Sequence, residues 1–180
     1  VGSWAYVHQH VNELANAVLM INNDVGGRPF RLISAGFEGI RPLLSGVAQR
    51  ARVAGIESPL DVEVGNPGWA SDHFPFWAHG VPTAAIGCEQ VDPNAGRYVH
   101  TPADTADKVY VAGLTECAAI NAQLVCAFAN APLRPVPRKR RQDMELLLDK
   151  FAWRQTLDTL SAWPPEALLA RYFTGVPAGL

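Results

Sequence analysis

The chain is poor in cysteine and in long apolar segments. Its 180 residues include only three cysteines, Cys88, Cys117 and Cys126, with no Cys-x-x-Cys pair. This sparse, odd count argues against a disulfide scaffold and against a cysteine-rich zinc site. Cys117 and Cys126 are predicted to be small core residues of a helix. No stretch is expected to reach the length of a membrane span.

Charge is also low, and it is unevenly distributed. Charged residues make up 18% of the chain and the formal net charge is −2, which excludes a nucleic-acid binder that relies on bulk positive charge. Residues 1–132 carry 7 Lys and Arg against 12 Asp and Glu, whereas residues 133–180 carry 8 against 5. An acidic body is therefore followed by a basic extension. Its basic run, residues 138–141, is predicted to be a solvated helix start, with contact to nucleic acid or to an anionic membrane as the alternative.

Three common catalytic motifs are missing as well. The chain has no G-x-S-x-G nucleophile elbow, no P-loop and no G-x-G-x-x-G sequence. It does have enough apolar residues, 48%, to bury the core of one domain. Amphipathic segments alternate with short apolar ones, which predicts an α/β layered domain. The predicted helices are 4–18, 40–51, 107–131 and 142–151, with a last short helix ending at Tyr172; the predicted strands are 18–21, 31–35, 61–64 and 82–88.

Two potential metal ligands follow predicted strands. Asp24 follows the strand at 18–21, and His100 lies in the long loop after the strand at 82–88. In open α/β sheets, ligands bind beyond the carboxyl ends of the strands. A carboxylate and an imidazole are ligands that zinc accepts. From the residues alone, Asp24 also fits a turn or helix-cap position, and His100 an ordinary loop histidine.

A third polar segment lies between the third and fourth predicted strands. Ser71 or Asp72 is predicted to cap a short helix that Gly80 ends. Asp72 and His73 could instead form a polar network beneath a site, but adjacent helix residues point in different directions and make poor joint ligands. His79 is predicted to be a helix-end residue whose positive charge suits the helix dipole.

In this order, the three motifs resemble the C-terminal part of the catalytic domain of the co-catalytic zinc aminopeptidases of clan MH. Relatives of that family include glutamate carboxypeptidases and glutaminyl cyclases. The resemblance covers about residues 1–131 and implies a three-layer α/β sandwich, with a mostly parallel mixed sheet flanked by helices. The motifs are Asn23-Asp24-Val25-Gly26, Ser71-Asp72-His73-Phe74-Pro75-Phe76 through Gly80-Val81-Pro82, and His100-Thr101-Pro102-Ala103-Asp104-Thr105.

The resemblance implies a role for each matched polar residue. Asp24 would be the carboxylate ligand of one zinc ion and His100 the histidine ligand of a second. The general-base Glu and the remaining ligands are expected upstream of Val1, so we expect a catalytic domain that is incomplete at its N-terminus. Five further residues would support the site without binding metal: Asp72, His73, Thr101, Asp104 and Thr105.

The activity that the resemblance implies is zinc-dependent hydrolysis of peptide bonds, with removal of N-terminal residues from peptides as the expected form. Two zinc ions would be the cofactors of the complete domain, and the 180 residues alone are expected to be almost inactive. Aminoacyl cyclisation is one alternative, which Val99 before the ligand histidine disfavours. A non-catalytic interaction domain of the same fold is the other. Export from the cytoplasm is favoured by the resemblance.

The remainder of the chain has no counterpart in that family. Residues 132–141 are expected to be a proline-rich and basic linker, and residues 142–180 a helical extension. Four apolar residues at helical spacing would either pack back on the body or mediate a homodimer: Met144, Leu147, Leu148 and Phe151. Neither a nucleic acid nor a membrane span is expected among the partners.

Overall fold

The protein is described by a computed structural model over residues 2–24, 26–51, 60–66, 68–132, 134–161 and 163. Four strands form one sheet: β1 (Met20–Asn22), β2 (Arg28–Ala35), β3 (Asp61–Gly65) and β4 (Thr83–Glu89). The α-helices within these residues are α1 (Gly2–Gln9), α2 (Arg41–Arg50), α3 (Phe74–Ala78), α4 (Val111–Ala129), α5 (Arg141–Lys150) and α6 (Arg154–Thr159).

The sheet is mixed, as predicted, with the strand order β1-β4-β2-β3. Strand β1 is parallel to β4, with Met20 opposite Thr83 and Asn22 opposite Ala85. Strand β3 is parallel to β2, whereas β2 and β4 are antiparallel. The carboxyl ends of β1 and β4 therefore lie at one edge of the sheet, and those of β2 and β3 at the opposite edge.

The sheet and its helices share one hydrophobic core. Side chains from β2, α2, α3 and α4 are completely buried there, among them Leu32, Leu44, Trp77 and Ile120. The indole N–H of Trp77 donates a hydrogen bond to the carbonyl of Ala35, 3.0 Å away, so this large side chain brings no unpaired indole donor into the core. The core thus fixes the short helix α3 against the end of β2.

Helix α4 is a few residues shorter than the predicted helix 107–131, but it is long and apolar. By length and composition alone its 19 residues could cross a bilayer, whereas no stretch was expected to reach the length of a membrane span. One face of α4 nevertheless packs on the core through Cys117, Ile120 and Leu124. We therefore interpret α4 as the covering helix of the sheet. Cys126 is exposed on its outer face, so its predicted core position is wrong.

The first predicted helix is divided in two. Helix α1 ends at Gln9 and is followed by a 3₁₀ helix, Val11–Asn16. Ser3 lies inside α1 and donates its hydroxyl to the carboxylate of Asp72. The other predicted strands and the second and third helices are found, with ends shifted by a few residues. The last predicted helix, which ends at Tyr172, lies outside the described residues.

The extension packs back on the body. Met144 and Leu148 of α5, together with Trp153 and Leu157 beside and within α6, are buried in the same core as the sheet. The apolar residues at helical spacing thus contact the body of their own chain. A homodimer through these helices stays a prediction. The four apolar residues proposed to mediate it are already buried or partly buried against their own chain.

The basic run that leads into α5 is only partly solvated. Arg138 is 7% exposed, and its Nε–H donates to the carbonyl of His79 at 2.5 Å. Burial lowers the pKa of this guanidinium to about 10. The backbone N–H of Lys139 donates to the carbonyl of Gly80 at 2.9 Å. The prediction of a solvated helix start is therefore wrong at Arg138, which links the extension to the body.

Close contact between the body and the extension requires a glycine at position 80. Gly80 has a φ of +78°, and a β-carbon there would lie 2.1 Å from the carbonyl oxygen of Lys139. We expect Gly80→Ala to lower the free energy of unfolding by about 2 kcal/mol or more, through strain and separation of the two backbones. Thermal unfolding measures this. Gly96→Ala is the control, because its β-carbon would meet open space; equal melting temperatures of the two variants would contradict the account.

Candidate metal centre

Asp24 lies two residues beyond β1, and a chain of hydrogen bonds orients its carboxylate. The amide of Asn22, the last residue of β1, donates to the hydroxyl oxygen of Ser71 at 3.0 Å. That hydroxyl in turn donates to Oδ2 of Asp24 at 3.1 Å. Because Ser71 bonds Asp24, it does not cap helix α3, which has no side-chain cap. The carboxylate is exposed, so a metal ion can reach it. The hydrogen bond from Ser71 orients it, as hydrogen bonds from neighbouring groups orient metal ligands in proteins.

His100 lies in the loop that follows β4. Its φ of +62° places a non-glycine residue in the left-handed region, which is an unfavourable backbone conformation. The hydroxyl of Thr101 donates to the carbonyl of Tyr98 at 2.6 Å and accepts from the N–H of Ala103 at 3.2 Å. Thr101 thereby holds the turn that presents His100 to solvent.

Asp24 and His100 line the same cleft, which has a volume of about 520 Å³. The cleft lies where the carboxyl ends of β1 and β4 meet, as the strand order requires. Asp104 lines it too, whereas the hydroxyl of Thr105 donates to Asp107. Asp24 and His100, which follow two separate predicted strands, thus both line this one cleft.

A second cleft, of about 430 Å³, lies on the other side of Asp24. Asp72 lines it and accepts a hydrogen bond from the hydroxyl of Ser3 at 2.9 Å. Its walls include three aromatic side chains, those of Trp4, Trp69 and Phe74. Asp24 thus lines both this partly aromatic cleft and the cleft that it shares with His100.

The two histidines of the third motif are buried and bonded to backbone. His73 is 3% exposed, and its Nε2–H donates to the carbonyl of Gly68 at 3.0 Å; burial lowers its pKa. His79 is fully buried, and its Nδ1–H donates to the carbonyl of Pro75 at 2.7 Å. Burial lowers the pKa of His79 to about 4. His79 is therefore neutral near pH 7, and its predicted role as a helix-end cation is wrong.

Comparison with known proteins supports the resemblance on which these residues were chosen. The model of peptidase family M28 matches residues 1–125. The chain belongs to peptidase family M28. This family lies within clan MH, the co-catalytic zinc peptidases, so the predicted family and the predicted α/β fold are both confirmed.

One solved M28 structure shows how much of the fold is present. The chain is similar to the peptidase M28 precursor from Shewanella amazonensis SB2B, with 25% sequence identity and a TM-score of 0.58. The similarity covers 77% of this chain and 30% of that one, so the chain spans about a third of its relative's length. None of the curated protein sequences compared with the chain matches it significantly.

Membership of the M28 family implies a zinc site, and the cleft provides only some of the ligands that zinc needs. Asp24 and His100 are suitable donors that share a cleft, but zinc sites in proteins are built from roughly three or four protein ligands. Across the described part of the chain, no group of three His, Cys, Asp or Glu side chains is arranged to hold a metal ion. The donor set is therefore partial.

The buried His79 predicts a loss of stability in acid. Its pKa is about 4 in the folded chain and 6.5 in an ordinary environment, so between these values the unfolded chain binds the extra proton. The contribution of neutral His79 to the free energy of unfolding is fully present above pH 6.5. It is lost as the pH falls towards 4, by up to about 3 kcal/mol.

Urea unfolding of the wild type and of His79→Gln at pH 7 and at about pH 4.5 measures this contribution. The stability of the variant should fall less between the two pH values. His10→Gln is the control, because His10 is half-exposed beside Glu13. An equal loss of stability between the two pH values in all three proteins would contradict the assignment.

The positive φ of His100 predicts that the backbone conformation of this proposed ligand lowers the stability of the fold. We expect His100→Gly to keep or raise the free energy of unfolding, by up to about 1 kcal/mol, because glycine adopts positive φ freely. His100→Val should lower it by about 1–2 kcal/mol, because a β-branched residue is strained there. Melting temperatures rank the two variants, and a higher value for the valine variant would refute the strain.

Proposed function

We propose that the chain carries part of the catalytic domain of a zinc-dependent M28 aminopeptidase, in which Asp24 binds one zinc ion and His100 the other. The observation that carries the proposal is the shared cleft at the carboxyl ends of two adjacent parallel strands. Membership of the M28 family supports the reaction class, the hydrolysis of peptide bonds. On the same family grounds we propose that the protein acts outside the cytoplasm.

The chain's own residues prepare these two donors in different ways. Ser71 and Asn22 direct the carboxylate of Asp24, and the turn held by Thr101 presents the imidazole of His100. Zinc, when bound in the complete site, supplies a water of lowered pKa for hydrolysis. Two donors do not complete that site, so the 180-residue chain by itself should bind zinc weakly and hydrolyse little peptide.

The lining of the second cleft favours an aminopeptidase over a carboxypeptidase. This cleft is lined by the carboxylates of Asp24 and Asp72 and by no lysine or arginine among the described residues. Such a site attracts the positively charged amino group at the start of a peptide and repels the carboxylate at its end. The aromatic walls favour an apolar first side chain.

Zinc titration followed by NMR of the histidine side chains tests the assignment without relying on activity. We expect the His100 imidazole signals to shift as zinc is added, in the micromolar range or above. The signals of His73 and His79 should stay in place, because both rings are buried and hydrogen-bonded to backbone carbonyls.

Two substitutions separate this site from adventitious binding. Asp24→Asn and His100→Gln keep the size of each side chain and should each weaken the zinc response, whereas His10→Gln leaves it unchanged. If neither Asp24→Asn nor His100→Gln alters the titration, then the proposed ligands are wrong. Circular dichroism of each variant shows that it is folded.

A further inference from the structure

Two cysteines that are distant in the sequence are in contact in the fold. Cys88 lies on β4 and Cys117 on α4, 29 positions apart, and their Sγ atoms are separated by 3.7 Å. Cys117 is 2% exposed, Cys88 is half-buried and Cys126 is exposed on the outer face of α4. Sequence spacing gave no indication of a pair, because the contact depends on α4 packing across the sheet.

The two sulfur atoms are close enough for a small movement to bring them to bonding distance. A disulfide has an S–S length of about 2.05 Å, so the sulfurs would have to approach by about 1.7 Å. Movement on this scale is available to side-chain torsions and small helix shifts. In the reduced protein the two thiols share a hydrogen bond.

The two sulfurs differ in their access to solvent. Cys88 lines the cleft of about 520 Å³, which is open to small molecules, whereas Cys117 lies behind it in the core. Burial raises the pKa of Cys88 and raises that of Cys117 to about 12. The buried carboxylate of Glu116 raises both pKa values further. Because Cys88 is the more accessible of the two thiols, it reacts first with a reagent from solvent, and Cys117 reacts in the second step.

We propose that Cys88 and Cys117 are a redox-active pair, which a low-molecular-weight disulfide such as oxidised glutathione converts into an intramolecular disulfide. The thiolate of Cys88 attacks one sulfur of the reagent and releases one glutathione thiolate. Cys117 then loses its proton to water and attacks the sulfur of Cys88, releasing the second glutathione. The two electrons lost by the protein reduce one glutathione disulfide to two thiols.

The bond would connect the two ends of the loop that carries His100. That loop leaves β4 just after Cys88 and enters α4 before Cys117. The backbone N–H groups of Gly26 and Gly27 also point at the sulfur of Cys88, which links it to the segment that follows Asp24. Oxidation would therefore restrict both segments that border the cleft, and this inference holds whether or not the chain binds zinc.

Thiol counting on the whole chain tests the pair. The protein is incubated with oxidised glutathione at about pH 8.5, alkylated and analysed by intact mass and peptide mapping. We expect the wild type to lose the alkylation of Cys88 and Cys117 through a bond between them. Cys126→Ser, the matched control, should form the same bond. Cys117→Ser should stop with glutathione attached to Cys88.

The melting temperature gives a second measurement. The oxidised wild type should melt several degrees above the reduced form, because the bond restricts the unfolded chain, and Cys88→Ser should show no such difference. The proposal is overturned if the wild type keeps Cys88 and Cys117 free under these conditions. It is equally overturned if Cys126 provides one partner of the bond, or if Cys117→Ser carries no glutathione on Cys88.

Discussion

Strand β1 pairs with β4 over only three residues, from Met20 opposite Thr83 to Asn22 opposite Ala85, and the two strands run in the same direction. The candidate site depends on this short parallel ladder. It carries the chain that leaves β1 and the chain that leaves β4 to the same edge, where Asp24 and His100 share a cleft. Strand β2 is antiparallel to β4, so its own carboxyl end, at Ala35, lies at the far edge beneath the extension.

Contacts across that far edge make the extension part of the same folded body. Leu147 of α5 lies against Gly36, and a β-carbon on Gly36 would come within 2.8 Å of it. Val136 is similarly placed over Gly39. Arg138 bonds the carbonyl of His79 from within the core. The M28 match ends at residue 125, so each of these contacts joins a residue beyond the matched part of the chain to one within it.

Local patterns were sufficient for most elements, whereas the binding of zinc by Asp24 and His100 stays a prediction. Apolar periodicity located the sheet strands and α4, and the strand-end rule together with the motif order selected Asp24 and His100. The sequence missed features that exist only through contacts between distant segments. Ser71 fitted a helix cap locally, but it bonds Asp24 because β1 ends beside it. Cys88 and Arg138 acquire their partners in the same way, through packing that no local pattern encodes.

The central claim is that Asp24 and His100 are donors for zinc at one cleft, and anomalous diffraction from crystals soaked in zinc tests it most directly. Zinc soaked into crystals of the chain at millimolar concentration should give anomalous density within bonding distance, about 2.0–2.2 Å, of a carboxylate oxygen of Asp24 or an imidazole nitrogen of His100. Anomalous peaks at other side chains alone, with neither Asp24 nor His100 near a zinc ion, would contradict the account.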